Sequence, residues 1–147
     1  MGYFTKERQQ HIVDAIRAAE LGTSGEIRVH IEKKCSGEVL DRAVAVFHKL
    51  KMEQTRQRNG VLLYVAMQSH KVAIIGDEGV NAVVPDDFWN DAKDNLVRMF
   101  AQGLFAEGIS DAVTAVGEIL KQHFPYTDDD INELPDEVSF GSDADEL

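Results

Sequence analysis

The chain has 147 residues, 44% of them hydrophobic and 28% charged, the proportions of one compact domain that can build a core without disulfides or metal staples. A single cysteine, Cys35, excludes an intramolecular disulfide and any multi-cysteine zinc site, and it fits a reducing compartment. Of the net charge of −11, nine acids and no base fall between Pro125 and Leu147; the nearly neutral remainder offers no basic face beyond Arg56 and Arg58, which sets nucleic acid aside as a partner.

From Thr5 to about Glu20, apolar residues recur at Ile12, Ile16 and Ala19, with Thr5 placed to cap the helix and Glu7 in its first turn. Gly25 to Glu32 then alternates: Ile27, Val29 and Ile31 face one way, Arg28, His30 and Glu32 the other. That pattern predicts a half-exposed strand near a sheet edge. Leu40, Ala43, Val44, Phe47 and Leu50 restore a helical period, and Asn59-Gly60 ends it. Val61 to Met67 is apolar on both faces, as an interior strand is. Gln68 to Lys71 is short enough for a hairpin turn into Val72-Ala73-Ile74-Ile75. The first two strands, joined through a helix, should be parallel, and the third antiparallel to the second. One further helix begins near Pro85-Asp86 and carries Phe88, Trp89, Leu96 and Phe100; another runs from about Ala106 to His123. Val138-Ser139-Phe140 could add a short edge strand. The order predicts an α/β fold, a three-layer α/β/α sandwich whose small mixed sheet is flanked by helices. Residues 1–124 form the domain, and residues 125–147 an acidic C-terminal tail whose final stretch, Gly141 to Leu147, should be mobile.

The start of the chain lacks the apolar stretch of a signal peptide, and no run approaches the length of a membrane span, so a cytoplasmic location without membrane insertion is expected. Stock catalytic signatures are missing: no phosphate loop, nucleophile elbow, zinc-protease motif or dinucleotide fingerprint. Cys35 has Lys33 and Lys34 nearby but no visible base. In the tail, Asp128, Asp130 and Asn132 match the opening of an EF-hand loop, but Glu133 stands at the required glycine and Ser139 at the required glutamate. The five histidines are scattered over separate elements, and Trp89 sits on an apolar stripe.

Topology gathers a better candidate. The starts of strands one and two and the end of strand three share one end of the sheet, which collects Glu26, Asp77 and Glu78 with Thr23, Ser24, Arg58 and Asn59. Three carboxylates, an amide and two hydroxyls are hard oxygen donors, suited to a divalent cation, calcium or magnesium, rather than zinc. Equally, Glu26 and Asp77 could pair with Arg58 or cap neighbouring helices.

The segments Thr23-Ser24-Gly25-Glu26-Ile27-Arg28-Val29, Arg58-Asn59-Gly60-Val61-Leu62-Leu63-Tyr64-Val65-Ala66 and Ile75-Gly76-Asp77-Glu78-Gly79 together resemble the TPM domain family, named for thylakoid-lumen, photosystem-repair and related membrane proteins. The likeness spans about Ile12 to Phe124, and Asn132 to Glu137 is similar to the ending of short bacterial members. It implies a small mixed sheet between helical layers, divalent-cation binding as in some members, and the acid phosphatase activity reported for a plant lumenal relative. It also strengthens Glu26, Asp77 and Glu78 as metal ligands, with Thr23, Ser24, Arg58 and Asn59 around them. Two functions follow. One is a soluble TPM-like domain that binds a divalent cation and acts as a protein-interaction or regulatory module for a protein partner. The alternative is a metal-dependent acid phosphatase, with Arg58 stabilising the developing charge.

Overall fold

The structure, a computed structural model, describes residues 4–126 and 138–141. Helix α1 (Lys6–Glu20) begins where predicted, because Thr5 Oγ1 accepts a hydrogen bond from the Arg8 N–H at 3.2 Å and satisfies an amide that the helix itself cannot. There follow β1 (Glu26–Glu32), α2 (Val39–Lys49), β2 (Gly60–Ala66), β3 (Lys71–Gly76), a single turn α3 (Glu78–Asn81), α4 (Asp86–Ala101), α5 (Phe105–His123) and β4 (Val138–Phe140).

The four strands form one mixed sheet in the order β3-β2-β1-β4. As expected, β1 runs parallel to β2, with Glu26 opposite Gly60, and β3 returns antiparallel, with Gly76 opposite Val61. The suggested strand at 138–140 is present, parallel to β1 and paired through Val29, His30 and Ile31. The sheet therefore draws its fourth strand from the segment read as tail. Gly141, placed by expectation in the mobile stretch, extends this pairing, its N–H donating to the Ile31 carbonyl at 2.8 Å. Residues 127–137 and 142–147, which hold the nine tail acids and the EF-hand-like positions Asp128, Asp130 and Asn132, lie outside the described residues.

Helices cover both faces. On one, Ile27, Val29 and Ile31 of β1 and Val61, Leu63 and Val65 of β2 meet α1, α4 and α5 through side chains such as Ile16, Leu96, Ile109, Val113 and Leu120. On the other, Leu62, Tyr64 and Ala73 pack beneath Ala43, Val46, Phe47 and Met52. Each large apolar side chain so buried contributes about 1.5–3 kcal/mol relative to exposure.

Two expectations are corrected. Strand β1 is neither half-exposed nor an edge: all seven residues are buried, β4 pairs along its outer side, and on its polar face Arg42 of α2 reaches over to Glu32. In α2 the inward set is Ala43, Val46 and Phe47, whereas Leu40 and Val44, counted in the apolar helical period, are 58% and 45% exposed. No helix among the described residues is long and apolar enough to cross a membrane.

Candidate functional site

The sheet end picked out by topology is assembled by two tight backbone turns. Arg58, at φ 50°, turns the chain into β2, a left-handed conformation that costs a residue with a Cβ on the order of 1 kcal/mol. Its carbonyl accepts from the Gly79 N–H at 2.9 Å. Only glycine fits at 79, since a Cβ there would stand 2.2 Å from the Gln57 carbonyl oxygen. The β2 entry and the first turn of α3 are thus pressed together, and Arg58 faces the residues that follow β3.

Arg58 grips Asp77 with both arms of its guanidinium, Nε to Oδ2 at 2.7 Å and Nη2 to Oδ1 at 2.9 Å, and its Nη1 stands 3.3 Å from Glu78 Oε1. Asp77 Oδ1 also accepts from the Glu78 N–H at 2.8 Å, capping α3. The hydrogen bonds from Arg58 to Asp77 raise the guanidinium's proton affinity above its already high ordinary value, with the charges of Asp77, Glu78 and Glu53 adding to them against a smaller cost of burial. The Asp77 side chain is 6% exposed, Glu78 72% and Arg58 40%.

Beside this bridge stands a second, neutral set. Ser24 Oγ accepts from Gln57 Nε2 at 3.0 Å and Asn59 Nδ2 at 3.3 Å. Thr23 Oγ1 donates to the Phe124 carbonyl and accepts from the Gly25 N–H at 3.0 Å, which ties α5 to the start of β1. Glu26 is 3% exposed. Its backbone lies two strands from Asp77, with Gly60 between, a separation of about 9.5 Å in a regular sheet. The Met52 carbonyl fills the gap above Gly60, 3.0 Å from where a Cβ would stand. Of the predicted site, the structure brings together Arg58, Asp77 and Glu78, and joins Ser24 to Asn59, while Thr23 bonds to Phe124 and Gly25 and the Glu26 backbone lies across Gly60 from Asp77. Among the described residues no three His, Cys, Asp or Glu side chains form a group that could hold a metal ion. The alternative in which Asp77 pairs with Arg58 and caps a helix is the arrangement present.

The bridge stands at the mouth of an open groove of 840 Å³ between α2 and α4, lined by Leu40, Val44, Ile75 and Trp89 among others. Cys35 belongs to the other end of β1. It is buried, its thiol directed at the Gly37 carbonyl at 3.6 Å and its N–H at Ser69 Oγ at 2.9 Å, so it has no part in this site.

Sequence reasoning missed a second carboxylate centre on the polar face of β1. Glu32 accepts from Tyr64 Oη at 2.5 Å and from Arg42 through Nε at 3.0 Å and through Nη2, and it lies 3.3 Å from His30 Nε2. A neutral imidazole that gives its Nε2–H to Glu32 leaves Nδ1 to accept from the Ser139 hydroxyl of β4 at 2.8 Å. Burial pushes the Glu32 carboxyl up, but the bonds from Arg42, Tyr64 and His30 outweigh it and hold the group down at about 2. Burial lowers His30 against the opposing pull of Glu32, while burial and the bond to Glu32 both raise Tyr64. The signal was available in Tyr64: a phenol in an interior strand needs a partner for its hydroxyl.

Residues 1–119 match the family profile described as the TPM domain. The chain belongs to the TPM domain family. Among solved structures, the TPM domain superposes on the BA42 protein of the psychrophilic bacterium Bizionia argentinensis with a TM-score of 0.88 at 48% identity, over 95% of this chain and 96% of that one. It shares its fold with the N-terminal domain of the cg2496 protein of Corynebacterium glutamicum (TM-score 0.65, 14% identity, 82% and 76% covered). A likeness of the same kind holds for the N-terminal domain of a P. gingivalis protein (TM-score 0.67, 19% identity, 86% and 83% covered). A comparison with curated proteins found no match.

Proposed function

We propose that this TPM domain is a protein-interaction module that responds to a divalent cation, calcium or magnesium, at the rim formed by Asp77 and Glu78. The supporting observation is the Asp77–Arg58–Glu78 bridge: two carboxylates converge on one positive charge at the mouth of a groove. Carboxylates are the hard oxygen donors such ions prefer, and Glu78 is exposed enough to swing. Entry of an ion is therefore an exchange in which the Arg58 guanidinium gives up its place. Glu26, whose backbone lies across Gly60 from Asp77, is left out of the proposed rim. Releasing Arg58 changes the charge and shape of the groove mouth, which couples the cation to whatever docks there.

Binding to the native state alone raises the melting temperature by mass action, about 2.7 kcal/mol of stability at a hundredfold excess over Kd. Thermal unfolding with and without millimolar calcium or magnesium should show a rise in wild type and a smaller one in Asp77→Asn, in which asparagine keeps the cap but loses the charge. No rise in wild type, or an equal rise in the variant, overturns the proposal. The second reading, a metal-dependent phosphatase, draws on the 40% exposed Arg58 guanidinium as a group that could hold a phosphoryl oxygen. A p-nitrophenyl phosphate assay on the same sample decides it: turnover must vanish with chelator and in Arg58→Asn, and persist in Cys35→Ser.

A further inference from the structure

Resting on the reading of the domain as an interaction module, we propose that the outer side of β3 docks a short extended segment of a partner protein, apolar and basic in composition, as an added strand. Strand β3 is the end of the sheet order, so among the described residues one side of it carries no strand. The groove runs along its Ile74–Gly76 half and exposes that side between α2 and α4. The Gly76 carbonyl is held on this side by Asn81 Nδ2 at 2.8 Å, so an added strand pairs with Ile74 and takes the place of that side-chain amide at Gly76. Because Asp77 directs its N–H inward to the Gly60 carbonyl, alternation along an antiparallel strand turns the backbone groups of Ile74 and Gly76 outward.

The walls indicate what the added segment carries. Leu40 and Val44 stand on the groove side of α2 with 58% and 45% of their surface exposed, although the helical period points them inward. With half-buried Ile75 and Trp89 they make an apolar floor for alternate side chains of a strand. The mouth holds Asp77, Glu78 and Asp86 against the single full charge of Arg58, with His48 across. That excess of negative charge selects lysine or arginine in the partner. It also argues against the chain's own acidic tail, and against a second copy of a chain of net charge −11.

The probe is a synthetic hexapeptide alternating valine and lysine, titrated to millimolar concentration into the isotope-labelled full chain and followed by amide NMR shifts. Shifts are expected at Ile74, Ile75 and Gly76. Affinity should fall at least tenfold with Val44→Lys, a substitution at an exposed position, and with a peptide N-methylated on alternate amides. Replacing the lysines by glutamate should abolish binding. Shifts centred on another surface, equal binding of the N-methylated peptide, no binding at millimolar concentration, or concentration-dependent self-association through the same amides would each overturn the proposal. Running the titration in calcium and in chelator separates it from the cation reading. Peptide binding indifferent to calcium sinks the cation's role and leaves the edge standing, whereas a calcium-dependent rise in melting temperature without peptide binding does the reverse.

Discussion

Glu32 and Asp77 are both nearly buried carboxylates, 5% and 6% exposed, and each is held by an arginine whose side chain is about 40% exposed. Their surroundings differ. Glu32 is bonded from α2, β2 and β1 at once, and β4 closes over it so tightly that a Cβ at Gly141 would stand 2.6 Å from Glu32 Cγ. Asp77 is held by a turn residue and by the amide next in sequence, beside the open groove. One centre joins elements far apart in the chain; the other is a more local arrangement of a turn residue with the end of β3, open to the groove. The same pair of functional groups thus serves cohesion at one end of the sheet and accessibility at the other.

The largest expected effect tests that contrast directly. Glu32→Ala leaves the Arg42 charge, the Tyr64 hydroxyl and His30 without their common acceptor, and should cost about 3–5 kcal/mol by urea unfolding. Asp77→Asn keeps the cap on α3 and loses one charge of a partly solvated pair, for about 1 kcal/mol. Equal losses from the two would erase the distinction.

Acid should find the Glu32 centre first. His30 has a folded-state value below the ordinary 6.5, so the unfolded chain takes up a proton more readily and stability falls as pH drops through that ordinary value. Glu32, held at about 2 against an ordinary 4.5, contributes stability that is present above 4.5 and lost as pH falls toward 2. Unfolding free energies measured from pH 7 to pH 2 should decline in two stages. The upper stage is expected to shrink in His30→Gln and the lower in Glu32→Gln, while Asp77→Asn retains both.

Much of the frame was legible because it is written locally. The Thr5 cap, the helical periods of α1 and α5 and the two-sided apolar run of β2 each rest on neighbours within a few residues. Strand β1 was misjudged because alternation reports polarity, not exposure: Arg28, His30 and Glu32 resemble a solvated face, and the groups that meet Glu32 and His30 come from α2, from β2 and from a strand more than a hundred residues later. For the same reason the Glu32 centre was invisible while Asp77, Arg58 and Glu78 could be grouped, since strand directions alone bring their turns to one sheet end. Topology could not show that the Met52 carbonyl would press against Gly60, the residue paired on one side with Glu26 and bonded on the other to Asp77. Helix α3, a single turn, is too short for any period to reveal.

The closing strand offers a smaller test. Phe140 is half-buried and meets the Phe4 ring edge-on with centroids 6.3 Å apart, so Phe140→Ala should cost about 1–2 kcal/mol, less than a fully buried phenylalanine. Deleting residues 142–147 keeps the Gly141 hydrogen bond to Ile31 and should change stability by less than about 0.5 kcal/mol. A loss from the deletion that matches the loss from Phe140→Ala would extend the cohesive end of the molecule beyond Gly141.

The smallest expected change is the most telling about the other end. Arg58→Asn removes the guanidinium from Asp77 and Glu78, an ion pair that contributes little at this exposure. Against that loss, φ at position 58 is 50°, a conformation that asparagine adopts more readily than arginine. The carbonyl that receives the Gly79 N–H is backbone and survives the substitution. These contributions oppose each other at similar size, so the net change in urea unfolding should lie within about 0.5 kcal/mol of zero. The freed carboxylates should then attract calcium more strongly, and the rise in melting temperature with millimolar calcium should exceed that of wild type. A loss above about 2 kcal/mol would mean that Arg58 holds its end of the sheet together as Arg42 holds the other, and Asp77 would no longer be free to change partners.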